Sequence, residues 1–146
     1  MVSLVCGQAA FALGDIDAAK TYASESRSTA TRKSPFHFDS VAHDVALATL
    51  EVKIEATFGH ADRQRKIVES LCSRHPGDAN VQALRLRVLM QIGDAKAVLT
   101  DGLKHMKEHG ASAAVLLLCA EAADALGMPD KAQSWRKIAA GSNPRA

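Results

Sequence analysis

His105 and His109 are four residues apart in a helical pattern, a spacing that sets both imidazoles on one face within reach of a single metal ion. No third ligand falls at a matching offset, and a helix C-terminus favours histidine through its dipole in any case. His37, Asp39, His43 and Asp44 are also ligand types, but His37 and His43 do not share a helical face, so a solvated polar surface is the plainer reading. Cys72 and His75 put a thiol near a base along the chain only. A nucleophilic cysteine needs a base oriented in space, and Cys72 follows Val68 and Leu71 into an apolar pattern, which favours burial. No glycine-rich phosphate loop and no Ser-His-Asp constellation is present. The expectation is therefore no metal, no cofactor, no catalytic residue and no enzyme.

The remaining charged groups point outward. Arg27, Arg32 and Lys33 could join Arg63, Arg65 and Lys66 in one basic patch if the stretch around residues 24–34 folds over the helix that follows. A solvated helix face is the default for such charges. A formal charge of +2 and an aromatic content of 4% give little support to nucleic acid as a partner. The three cysteines, Cys6, Cys72 and Cys119, have no metal-type spacing and read as reduced, buried thiols on apolar faces, as in a cytoplasmic protein. The apolar opening MVSLVCGQAAFALG lacks the basic n-region of a signal peptide, and no run is long enough to span a membrane. No polar cap precedes the first helix, which fits either a frayed start or upstream repeats removed.

Helix breakers recur at a fixed interval. Gly59, Gly93 and Gly127 lie 34 residues apart, and each follows an apolar helical pattern. Gly14 lies 45 residues before Gly59, which is the same interval plus 11. Evenly spaced breakers mean stacked two-helix units, because one hairpin alone cannot bury its apolar face. The units are expected at about 2–27, 36–74, 79–109 and 113–140, with an insertion at 24–34 and a disordered tail at 141–146. Gly14 closes the first helix, and Asp15 or Asp17 starts the next. Ser34-Pro35 reads as a cap followed by an N1 proline, and His75-Pro76-Gly77-Asp78 as a hard stop. Nothing alternates with period two, so no strands are expected.

This arrangement resembles the tetratricopeptide repeat, a 34-residue helix–turn–helix with small residues at set positions and a late proline. The fourth unit carries Leu116, Cys119-Ala120, Ala123, Ala132 and Pro144 at the matching offsets. The first offers Cys6-Gly7, Ala10, Ala19 and Ala23, with Thr31 at the proline position. The second keeps Pro76 but has Glu51 and Glu55 where apolar residues belong, and the third has Leu86, Leu89 and Val98 with Gly110 for the proline.

The resemblance implies an all-α fold, a right-handed helical-hairpin solenoid of about four repeats. Its concave surface, lined by the first helix of each unit, would bind a peptide or helical segment. The positions implied for that groove are Gln8, Phe11, Lys53, Thr57, Arg87, Met90, Gln91, Glu121 and Asp124. The groove would be basic in the middle and acidic at its end, with Lys53 and Arg87 favouring an acidic or C-terminally charged protein segment. Leu4, Thr49, Ala83 and Leu117 stand at the first offset of the lysine and asparagine pattern of a carboxylate-clamping subfamily, and no asparagine stands at the next, so a clamp of that kind is not expected. A protein-binding scaffold is thus the leading expectation. A bacterial secretion or assembly chaperone of the same family, and a regulatory domain of a larger enzyme, are the alternatives. Trp135 and Ile138 on the last helix would need a cover, either from self-association into a homo-oligomer, from a further repeat or from packing inward against Leu116 and Leu118.

Overall fold

A computed structural model describes residues 2–30 and 40–141, and every regular element among them is helical. The helices are α1 (Val2–Ala12), α2 (Ile16–Ala30), α3 (Ser40–Thr57), α4 (Ala61–Arg74), α5 (Ala79–Ile92), α6 (Ala95–His109), α7 (Ala113–Ala125) and α8 (Pro129–Gly141). The all-α expectation therefore holds, with no strand among the described residues. No helix among them is long and apolar enough to cross a membrane.

One turn design closes α1, α3, α5 and α7. At Gly93 the glycine N–H donates to Met90 O at 3.0 Å, and the next N–H, of Asp94, donates to Leu89 O at 2.9 Å. That pair of bonds satisfies two orphan carbonyls, and it requires the left-handed conformation that Gly93 adopts at φ 92°. The same two bonds recur at Gly14 with Asp15, Gly59 with His60, and Gly127 with Met128. The following helix then starts on a side-chain cap where one is present. Asp15 Oδ1 accepts from Ala18 N, so Asp15 rather than Asp17 is the cap. Asp94 Oδ1 accepts from Ala97 N, and Asp78 Oδ1 accepts from both Asn80 N and Val81 N. Pro129 opens α8 at the position where its missing N–H costs nothing.

The chain divides into two compact units, residues 1–71 and 72–146. In the first, α1 packs on α2, and both pack on α3. Leu4, Ala10, Ala19, Ala23, Leu47, Leu50 and Ile54 form its core. Gly7 lets α1 approach closely, since a Cβ there would stand 2.8 Å from Leu50 Cδ2 and 3.2 Å from Tyr22 Cβ. Of the 11-residue excess, Ser24 to Ala30 continue α2, while residues 31–34 and the Ser34-Pro35 cap lie outside the described residues.

In the second unit α5, α6 and α7 pack pairwise, and α7 carries α8. Leu86, Leu89, Val98, Val115, Leu118 and Cys119 form the centre of its core. Alanines 120, 123 and 132 let α7 and α8 come together in a second, smaller cluster. Trp135 is half-buried and packs against both clusters, whereas Ile138 is 54% exposed. Gly141 is the last residue of α8, and residues 142–146 of the expected tail lie outside the described residues.

Candidate functional site

The nine positions implied for a groove fall on the first helices of the hairpins: Gln8 and Phe11 on α1, Lys53 and Thr57 on α3, Arg87, Met90 and Gln91 on α5, Glu121 and Asp124 on α7. Helix periodicity sorts them into two kinds. Gln8, Lys53, Arg87 and Glu121 share one repeat offset, and all four are exposed. Thr57, Gln91 and Asp124 are exposed as well. Phe11 and Met90 are half-buried and lean on the cores of their own units, Phe11 beside Leu4 and Ala10 and Met90 beside Leu86 and Leu89.

Local bonds restrain part of this set. Thr57 Oγ1 donates to Lys53 O at 3.0 Å, a helical back-bond that turns its hydroxyl inward. Asp124 pairs with Arg136 of α8, so its charge is shared across the last hairpin. In the second unit the exposed charges on α5 and α7 are of opposite sign, Arg87 against Glu121 and Asp124.

A second polar region lies on the first unit, built from α2, α3 and α4. Arg27 on α2 reaches across to α3, donating from Nη1 to Asp44 Oδ1 at 2.7 Å and from Nη2 to Glu51. Burial disfavours its charge, but the bonds and charges of Glu51 and Asp44 outweigh that and raise its pKa. Glu55, one turn further along α3, has His60 Nδ1 at 2.7 Å and Arg63 Nη1 at 3.7 Å. Lys20 Nζ sits 4.1 Å from the centre of the Phe58 ring, and Phe58 stacks on His60. Lys20, Arg27, Glu51, Glu55, Arg63 and Lys66 line an open cleft of about 600 Å³. Arg27, Arg63 and Lys66 of the expected basic patch thus meet in one place, while Arg32 and Lys33 lie outside the described residues. Sequence reasoning flagged Glu51 and Glu55 only as departures from the repeat pattern. Their pairing with α2 and α4 was the missing half.

The histidine and thiol groups differ in burial. The rings of His105 and His109 lie 5.0 Å apart, with His105 buried and His109 packed over Gly77. Burial holds the His105 pKa below its usual value, and the charge of His109 pushes the same way. Among the described residues no group of three or more His, Cys, Asp or Glu side chains is placed to hold a metal ion. His37 and Asp39 lie outside those residues. Cys119 is buried in the second core, and desolvation pushes its thiol up to about 11, far from the thiolate needed for nucleophilic chemistry. Cys6 and Cys72 are only half-buried, which corrects the expectation of three buried thiols. Each lies at the margin of its helix's apolar stripe, and an apolar pattern gives face but not depth.

Compared with known proteins, the chain matches no family model and no curated sequence.

Proposed function

We propose that the chain is a solenoid of tetratricopeptide-like hairpins that binds a peptide or helical segment of a partner protein on the exposed face of its first helices. The observation that carries this reading is the recurrence of one turn. The same pair of closing bonds appears after α1, α3, α5 and α7, at intervals of 45, 34 and 34 residues. Within each unit the packing also follows one rule, since a first helix packs on the next first helix and a second helix packs on it too. A repeated turn and a repeated first-helix packing carry the same offset along, so Gln8, Lys53, Arg87 and Glu121 would emerge on equivalent surfaces without having been selected for the core. Exposed polar side chains at a repeating register supply specificity, and half-buried Phe11 and Met90 supply apolar contact beside them.

Lys53 and Arg87 make an acidic segment the preferred occupant. Selection from a random peptide display library against the purified chain tests this directly. Enriched peptides should carry carboxylates, and Lys53→Glu with Arg87→Glu should weaken their binding at least tenfold with the circular dichroism spectrum intact. A folded double variant that binds the selected peptides as well as the parent chain would remove the first-helix face from the assignment.

A further inference from the structure

The cleft between α2, α3 and α4 holds a contrast internal to the repeats. Glu51 and Glu55 are matched one repeat later by Arg85 and Leu89, and two repeats later by Cys119 and Ala123. Leu89, Cys119 and Ala123 are buried in the core of the second unit, and Arg85 is tied to Asp101 of α6 at 3.0 Å. At Glu51 and Glu55 the register puts carboxylates where the other repeats close their helices together, and the cleft stands open there. Both carboxylates are already committed, Glu51 to Arg27 and Glu55 to His60 and Arg63. Because Arg27 is shared with Asp44, the floor keeps about one net negative charge. The walls are positive, since Lys20 on α2 and Lys66 on α4 add two ammonium groups, both on exposed residues. Lys20 meets Phe58 through its ring face, which leaves its N–H donors available to a ligand. Half-buried Ile67 adds apolar surface to the same lining.

We infer that this cleft is a second binding site, one that takes an acidic peptide segment with an apolar side chain between carboxylates. The carboxylates would meet Lys20 and Lys66 on opposite walls, and the apolar side chain would rest on Ile67. Charge complementarity selects this occupant over a compact polyanion. Phosphate groups gathered at one point would face Glu51 and Glu55, whereas spaced carboxylates reach the walls and pass over the paired floor. The open shape also suits an extended segment better than an enclosed small molecule. The site uses none of the nine first-helix positions, so it goes beyond the function proposed above.

The test is fluorescence anisotropy with a labelled short peptide of glutamates flanking a leucine, read at low and at near-physiological salt. The whole chain should bind it, less tightly at high salt. Lys20→Glu with Lys66→Glu should weaken binding about tenfold, each reversal removing one attraction and adding one repulsion. Glu55→Gln should tighten it, an effect of opposite sign that a loss of folding cannot imitate. Lys104→Glu should leave it within about twofold, since that exposed α6 residue belongs neither to the cleft nor to the first-helix face. No binding at low salt, retention in the folded double-lysine variant, or tighter binding of tripolyphosphate than of the peptide would each overturn the site. Loss through Arg87→Glu alone would overturn the cleft and leave the first-helix reading standing.

Discussion

Substituting alanine for Gly102 pits two effects of known size against each other. Gly102 lies inside α6, where alanine is the better helix former by about 0.5–1 kcal/mol. The added Cβ, however, would overlap Cys119 Sγ on α7 and come within 3.3 Å of Leu86 Cδ1 on α5. Neither neighbour has room to retreat, because Leu86 and Cys119 are both fully buried. Overpacking of that kind costs about 1–3 kcal/mol, so Gly102→Ala should destabilise by a net of up to about 2.5 kcal/mol. Removing the sulfur changes the sign. In a Cys119→Ala background the overlap is gone, the space left by the sulfur lets Leu86 Cδ1 give the few tenths of an ångström its 3.3 Å contact asks, Val115 Cγ1 stands off at 3.6 Å, and the helical gain dominates. Gly102→Ala should then be neutral or stabilising by up to about 1 kcal/mol, a coupling of roughly 1–3 kcal/mol between the sites. Urea unfolding followed by helical circular dichroism and by Trp135 emission measures all four corners of the cycle. Trp135 is the only tryptophan and packs on this same core, so its signal reports the unit concerned. Equal effects of Gly102→Ala in the two backgrounds, to within about 0.5 kcal/mol, would refute the close-approach argument.

Lowering the pH should destabilise the chain through His105. Its folded pKa lies below the unfolded value of about 6.5, so the unfolded chain takes up the proton first; stability is full above that pH and declines as pH falls below it. His105→Gln should flatten that decline in thermal melts between pH 7.5 and 5, and an unchanged slope would contradict the assignment. Asp94→Ala removes the cap on α6 and should cost about 1 kcal/mol in urea unfolding, with Asp94→Asn close to neutral. Iodoacetamide at mildly alkaline pH, followed by mass mapping, should label Cys6 and Cys72 first and Cys119 only on unfolding, since its thiol stays protonated and covered. Early labelling of Cys119 would show that the second core opens locally.

Residues that interrupt the chain chemically made the second unit readable. Pro76, Gly77 and Asp78 end one helix and cap the next within four residues, and Gly93-Asp94 repeats the device, so α5 and α6 begin and end where those residues dictate. The end of α2 was not readable in this way. Its last residues carry no apolar period, yet the helix continues to Ala30 because Ser26 is buried and Arg27 is held by two carboxylates on α3. Partners 17 and 24 residues away leave no local mark in the sequence. The basic half of the cleft is legible as clustered charges, but its carboxylate half is hidden for the same reason. Glu51 and Glu55 look like faults in a repeat until the basic residues of α2 and α4 are set beside them. The close approach of Gly102 to Cys119 is equally non-local, and a glycine inside a helix reads only as a weak point.

The four hairpin turns have a stereochemical consequence. Gly14, Gly59, Gly93 and Gly127 all hold φ between 72° and 92°, and a Cβ at any of them would meet nothing within 4 Å. Ordinary alanine is excluded there by handedness alone, and crowding plays no part. A mirror-image alanine has no such objection. Placed by chemical synthesis at Gly93, D-alanine would enter its own preferred conformation and stiffen the unfolded chain, with an expected gain of about 0.4–1 kcal/mol. Each turn is thus a point where this backbone would take the mirror-image hand of protein chemistry, and where the chain instead carries the one residue without a hand.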